Sequence, residues 1–157
     1  MSQIQALDRA GIEALIPHRG SMCLLEKLEA WDATRIHCST TTHRDVANPL
    51  RTASGLLAPN AIEYAAQAMA LHGGLTASGA EAPSAGYLAS VRNVRFGTER
   101  LDLVDGALQV QATRLSGDDR QVMYEFNVAD AAGLSLAQGR AVVVLNTPIA
   151  PKEVSAA

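Results

Sequence analysis

Between residues 58 and 74 the alternation of apolar and polar positions gives way to a run that is small or apolar around almost its whole circumference. Alanine stands at 61, 65, 66, 68 and 70. The punctuation predicts one helix. Pro59 suits a first turn, where a missing N–H costs nothing, and Gly73 suits a left-handed C-terminal stop. A helix apolar on every side is normally buried on every side. Asn60, Glu63 and Gln67 break that pattern together, because spacings of three and four place them on one stripe. A carboxylate in such surroundings needs a partner, a pocket or water. The stripe is where chemistry is expected.

Around the helix the pattern changes to period two. A short helix is predicted over residues 8–15, capped by Asp8 and ended by Pro17. Cys23 to Trp31 and Arg35 to Thr42 read as a hairpin, the second strand rich in β-branched residues. Residues 43–58 form a long connection, a type of segment that often carries function. Thr76 to Ser84 reads as a small-residue linker. Four strands then run in sequence: Ala85 to Phe96, Ala107 to Leu115, Gln121 to Val128 and Leu134 to Leu145. In the second, Leu108, Val110 and Ala112 share a face; in the third, Val122, Tyr124, Phe126 and Val128 do. Turns are placed at 116–119 and 131–133. This predicts an antiparallel sheet with one buried face. Such a sheet hides an all-apolar helix only by curling around it, with a second subunit covering the remainder. The fold class is α+β, an antiparallel sheet wrapped around a long central helix, in a dimer.

Composition narrows the function. A chain of 157 residues with 48% hydrophobic and 18% charged residues is expected to form a single domain over 1–157, with a core at about 8–146 and a frayed tail from Thr147. A net charge of −3 gives no basic field for nucleic acid or anionic lipid. No apolar run reaches the ~20 residues of a membrane span, and residues 1–8 lack the regions of a secretion signal. Cys23 and Cys38 are expected as buried thiols in a reducing cytoplasm. The histidines, cysteines and acids show no ligand spacing, so no metal is expected. Phosphate loop, dinucleotide glycine motif and serine elbow are all missing.

Ile16-Pro17-His18-Arg19, followed by Met22-Cys23-Leu24-Leu25-Glu26, resembles the "L-P-H-R-x-P-F-L-L-V-D" opening of the hot-dog-fold 3-hydroxyacyl-ACP dehydratases. The helix resembles their "P-G-V-L-x-x-E-A-x-A-Q" segment, with Glu63 on the catalytic acid and Gln67 one turn later. Residues 86–96 fit their strand "Y-x-x-x-I-x-x-x-R-F". The stretches 62–73 and 48–51 are similar to the predicted dehydratases of aryl-polyene-type clusters. One departure stands out. The family's catalytic His lies fourteen residues before the helix acid, which here is Pro49, with Asn48 beside it.

The resemblance implies a hot-dog fold and loss of water from a 3-hydroxyacyl thioester in fatty-acid or polyene synthesis. A base takes the C2 proton while an acid helps the C3 hydroxyl leave. In the family the His is the base and the carboxylate the acid, facing each other across a dimer interface. Glu63 is then the expected acid, its pKa raised by the apolar helix. His43, which enters the long connection, is the expected base. The first turn near Asn60 and Ala61 is the expected donor to the thioester carbonyl. Gln67 is expected to orient Glu63 or a water, or else to satisfy buried backbone, Asn48 to contact substrate or an attacking water, and His18 of the Pro-His-Arg element to lie among the substrate-binding residues. His72 and His37 read as structural. Arg51, Arg92 and Arg95 are candidates for an acidic carrier surface or a phosphate. No cofactor is expected, the acyl chain arriving on the phosphopantetheine of acyl carrier protein (ACP) or CoA and lying in a tunnel beside the helix. The expected partners are ACP and a second hot-dog subunit, identical or related. Two alternatives stand beside this reading: an acyl thioesterase using Glu63 as base or nucleophile, and a non-catalytic subunit that binds acyl-ACP.

Overall fold

Asp8 opens the first helix, α1 (Arg9–Glu13), its carboxylate accepting from the Gly11 N–H at 3.0 Å in the computed structural model, which describes residues 6–77 and 86–145. That bond satisfies a donor the helix leaves free. Six strands form one antiparallel sheet: β1 (Lys27–Trp31), β2 (Arg35–Thr40), β3 (Gly86–Phe96), β4 (Leu108–Gly117), β5 (Gln121–Ala129) and β6 (Ser135–Leu145). Their order across the sheet is β1-β2-β4-β5-β6-β3. The one long helix, α2 (Ala61–Thr76), follows a 3₁₀ turn over Ala58–Asn60 and packs on one face of the sheet. Its Tyr64, Ala65, Ala68 and Leu71 are fully buried in one cluster with Val110, Phe126 and Val128. Small alanine side chains let the helix axis approach the sheet, so the apolar run and the strand alternation serve one core. No helix among the described residues is long and apolar enough to cross a membrane. The expected tail from Thr147 and linker residues 78–85 lie outside the described residues.

Several boundaries differ from the sequence reading. Cys23–Leu25 is buried, yet Cys23–Glu26 is not strand, because its backbone bonds mostly to side chains. The Leu24 N–H donates to Gln67 Oε1, and the Leu24 carbonyl accepts from the hydroxyls of Thr40 and Thr42. Gly73 does not stop the helix, which runs on to Thr76, whose hydroxyl turns back to the His72 carbonyl at 2.8 Å. The four later strands are not a simple meander: β3 pairs with β6 and becomes an edge. Strand β4 runs through Gly117, and Asp118 closes the turn by accepting from the Arg120 and Gln121 N–H groups.

Strand β3 carries two irregularities. From Arg92 to Arg95 it advances three residues while β6 moves two, from Arg140 to Gln138. Within that bulge Asn93 takes φ 53°, the left-handed region.

Candidate functional site

Residues 16–20 are held by three side chains. Arg19 donates to the carbonyls of Glu13 and Ile16, Arg9 donates to the Gly20 carbonyl at 2.8 Å, and Glu13 Oε1 accepts from the Gly20 N–H at 3.0 Å. Gly20, at φ +58°, supplies the left-handed step that lets the chain turn there. Arg9 and Glu13 lie one turn apart on α1, so the short helix is the platform for this loop. The loop presents His18 to α2, with Nε2 at 3.1 Å from Glu63 Oε1. The side chains are 26% and 35% exposed respectively, so the pair sits at the surface and not inside the core.

Gln67 completes the constellation. It is fully buried, its Oε1 accepting from the Leu24 N–H at 2.9 Å, while Nε2 donates to the Met22 carbonyl at 2.8 Å and to Glu63 Oε1 at 3.2 Å. One amide thus ties the segment after His18 to the carboxylate that His18 meets. The His18 contact holds the Glu63 carboxyl below the usual range. Burial pulls the other way, and the Gln67 amide and the His18 charge add to the lowering. Its place in the first turn of α2 also favours an ionised carboxylate. The expectation of a raised pKa is therefore corrected: the hydrogen bonds outweigh the desolvation. With Glu63 ionised and acceptor only, the proton between them belongs to His18 Nε2. His18 Nδ1 is shielded from solvent and has no hydrogen-bond partner.

The other expected residues fall elsewhere. His43 is fully buried in a 3₁₀ turn over Thr42–Arg44, and its Nε2–H donates to the Val104 carbonyl at 2.9 Å. Arg44 pairs with Asp105 beside it, so this turn is fastened to residues 104–105 and sends His43 inward. Within the subunit His43 makes no hydrogen bond to Glu63, whose carboxylate meets His18. Asn48 is buried with its amide spent, Nδ2 donating to the Thr42 carbonyl and Tyr64 Oη, Oδ1 accepting from the Leu50 N–H. Asn60 donates its side chain to the Leu57 carbonyl and its N–H to the same group. The Ala61 N–H points back to the carbonyls of Ala58 and Pro59. Arg51 and Arg100 both face Asp102, which also accepts from the Leu56 N–H, a clamp on the connection that enters α2. No group of three or more His, Cys, Asp or Glu side chains among the described residues is arranged to hold a metal ion. A concavity of about 300 Å³ beside β1, β2 and β4, among Trp31, Arg35, His37 and Gln111, contains none of the expected site residues.

The sequence profile of the ApeP-like family, described as ApeP dehydratase, matches residues 10–154. The chain belongs to the ApeP-like dehydratase family. Among solved structures it is similar to the dehydratase heterocomplex ApeI:P from Xenorhabdus doucetiae, at TM-score 0.75 and 28% identity, over 87% of this chain and 91% of that one. Two thioesterases share the fold. That of Haemophilus influenzae aligns at TM-score 0.58 and 11% identity, covering 80% of this chain and 81% of that one. A hypothetical thioesterase from Streptococcus pneumoniae, solved with coenzyme A, aligns at 0.55 and 10%, covering 75% and 83%. No curated protein matches the sequence. The six-stranded antiparallel sheet packed on one long helix is the hot-dog fold. In this ApeP-like chain the hydrogen-bonded His and carboxylate, His18 and Glu63, both come from one subunit.

Replacing Gln67 by alanine strands two backbone groups, the buried Leu24 N–H and the part-buried Met22 carbonyl. At about 1–3 kcal/mol for each unmade bond, the expected loss is roughly 2–6 kcal/mol, toward the lower end because the Met22 carbonyl is only part-buried. Urea unfolding of the variant measures it.

Proposed function

We propose that the chain dehydrates a 3-hydroxyacyl thioester, with His18 and Glu63 as its proton-handling pair. The observation that carries this reading is the 3.1 Å contact between His18 Nε2 and Glu63 Oε1 in a chain of a dehydratase family. His18 Nδ1, whose lone pair has no partner and is covered in the subunit alone, takes the proton from C2 once the bound thioester displaces that cover. The C2–C3 double bond forms as the C3–O bond breaks. The imidazolium then returns its proton to the departing hydroxyl, which leaves as water. Atoms balance with one base. Glu63, ionised, accepts from Nε2–H throughout and stabilises the imidazolium, as a carboxylate behind a histidine does in other general-base pairs. His18 thus replaces His43 as the base, and Glu63 supports it where the resemblance made it the acid.

The acyl chain is proposed to arrive on the phosphopantetheine of ACP or CoA, in fatty-acid or polyene synthesis in the cytoplasm. The test is an assay of a 3-hydroxyacyl-ACP that follows enoyl absorbance and free thiol together. Enoyl without thiol is expected. Thiol without enoyl would make the protein a thioesterase, and no turnover by folded protein would make it a binding subunit.

The site is proposed to be completed by a second hot-dog subunit, identical or related, on the pattern of the ApeI:P heterocomplex. Among the described residues strand β3 pairs on one side only, and its Leu88 and Phe96 are 39% and 44% exposed on the helix-facing side. Such an edge invites strand addition. We expect a dimer in light scattering, either alone or with a related subunit. Leu88→Arg is expected to weaken it at least tenfold by placing a charge in an apolar contact.

A further inference from the structure

The outer face of the sheet, opposite α2, carries an arrangement that the chemistry at His18 and Glu63 does not use. Arg92 of β3 stands directly opposite Arg140 of β6. Like charges in register on one face destabilise a sheet. The next arginine, Arg95, would by strict alternation point to the other face. The bulge at Asn93 prevents this. Arg95 comes opposite Gln138, two residues from Arg140, and so shares the face of Arg92 and Arg140. A bulge re-aims a side chain, and a left-handed asparagine inside a strand carries a strain cost. Both costs are met here to gather charges that repel one another.

All three arginines are exposed, and none makes an ion pair or side-chain hydrogen bond among the described residues. By contrast Arg44, Arg51 and Arg100 are each set against an aspartate. Glu125 of β5 lies opposite Arg140 on the same face, also exposed, without reaching it. The patch is therefore net positive on a chain of net charge −3. Nucleic acid or an anionic membrane would meet repulsion from the rest of the surface. A compact acidic protein matches three guanidinium forks, which pair well with carboxylates.

We propose that Arg92, Arg95 and Arg140 form a docking surface for the acidic face of the carrier protein that delivers the thioester. The identity of the partner rests on the dehydratase reading; the acidic chemistry of the partner does not. The bulge sets the three side chains in one plane of approach, and the sheet holds them rigidly.

The experiment uses the purified protein in whatever assembly it forms, with a fluorescently labelled acidic acyl carrier protein as the probe. Wild type, an Arg92→Ala/Arg95→Ala/Arg140→Ala triple variant and an off-patch Arg120→Ala control are compared by anisotropy at low and high salt. Dehydration of a 3-hydroxyacyl N-acetylcysteamine thioester, which has no carrier, is measured in parallel. We expect the triple variant to raise the carrier Kd on the order of tenfold or more and to flatten its salt dependence. Small-thioester turnover and the control should stay at wild-type values. Carrier binding that is absent, or equal in wild type and triple variant, overturns the docking surface, and small-thioester turnover in wild type then leaves the dehydratase reading standing. Arginine-dependent carrier binding with no turnover of either thioester does the reverse. An equal fall in small-thioester turnover, or loss of binding to anionic vesicles in place of the carrier, overturns the proposal as well.

Discussion

Replacing His18 by alanine is expected to lower kcat for dehydration roughly 10³-fold while leaving the fold within about 0.5 kcal/mol of wild type. The two effects separate because of where the ring sits. His18 is partly exposed, and its hydrogen bond is to a carboxylate that is also partly exposed, so little packing is lost. The chemistry, in contrast, loses its only base. Glu63→Gln should cost roughly 10²-fold or more, since the amide no longer stabilises the imidazolium that forms as C2 is deprotonated. The double variant should be scarcely worse than His18→Ala, because the two residues act as one unit. The pH profile distinguishes this assignment from one with Glu63 as the acid. An acid must be protonated, and the His18 contact holds the Glu63 carboxyl below its ordinary 4.5. With Glu63 as acid, kcat/KM would fall about tenfold for each pH unit above that value. With His18 as base it should instead rise with pH toward a plateau. A profile that falls steadily from pH 5 to 8, with Glu63→Gln abolishing it, would falsify the one-base scheme.

The unequal legibility of the chain has physical causes. Helix α2 and the faces of β4 and β5 could be read directly, because their periodicities report burial on one side or all round, and the core obeys them. The Glu63–Gln67 stripe was legible for the same reason, being local to one helix. The His18 contact was not. Residues 18 and 63 meet only because Arg9, Glu13 and Arg19 fasten the loop to α1 and Gln67 fastens the segment beyond it to α2. Nothing periodic encodes such tertiary ties. The Pro17-His18-Arg19-Gly20 element was the available signal, a histidine between a helix stop and a glycine able to turn. Cys23–Glu26 misled because a short buried apolar run looks like strand whether its backbone bonds to a neighbouring strand or to side chains. The burial of His43 was not legible either, since its place at the entry to the long connection suggests exposure. The 3₁₀ turn packed on residues 104–105 buries it instead.

Acid should destabilise this protein well before its carboxylates titrate, and two buried histidines are the reason. His43 and His72 are both fully buried, and burial pushes the pKa of each below the ordinary 6.5. Each is neutral with a fixed tautomer. His43 Nε2–H donates to the Val104 carbonyl; His72 Nε2–H donates to the Asp32 carbonyl at 2.8 Å while its Nδ1 accepts from the Tyr124 hydroxyl at 2.7 Å. Protonating either ring puts a charge in the core, and at His72 it also takes from the Tyr124 O–H the lone pair it donates to. In the unfolded chain both titrate near 6.5. Between that value and the lower folded pKa the unfolded state binds more protons, so stability falls as pH falls. The slope approaches about 1.4 kcal/mol per pH unit for each histidine, or about 2.7 kcal/mol for the pair. Carboxylates held low by their partners, such as Glu26 and Glu63, add to the loss only below about pH 4.5. Urea midpoints measured from pH 7.5 to pH 5 should therefore drop steeply, and His72→Gln should remove about half of the slope whatever it does to the stability at pH 7.5. A midpoint flat over that range would mean that the folded state accepts the protons, which requires one of the two side chains to reach water without unfolding.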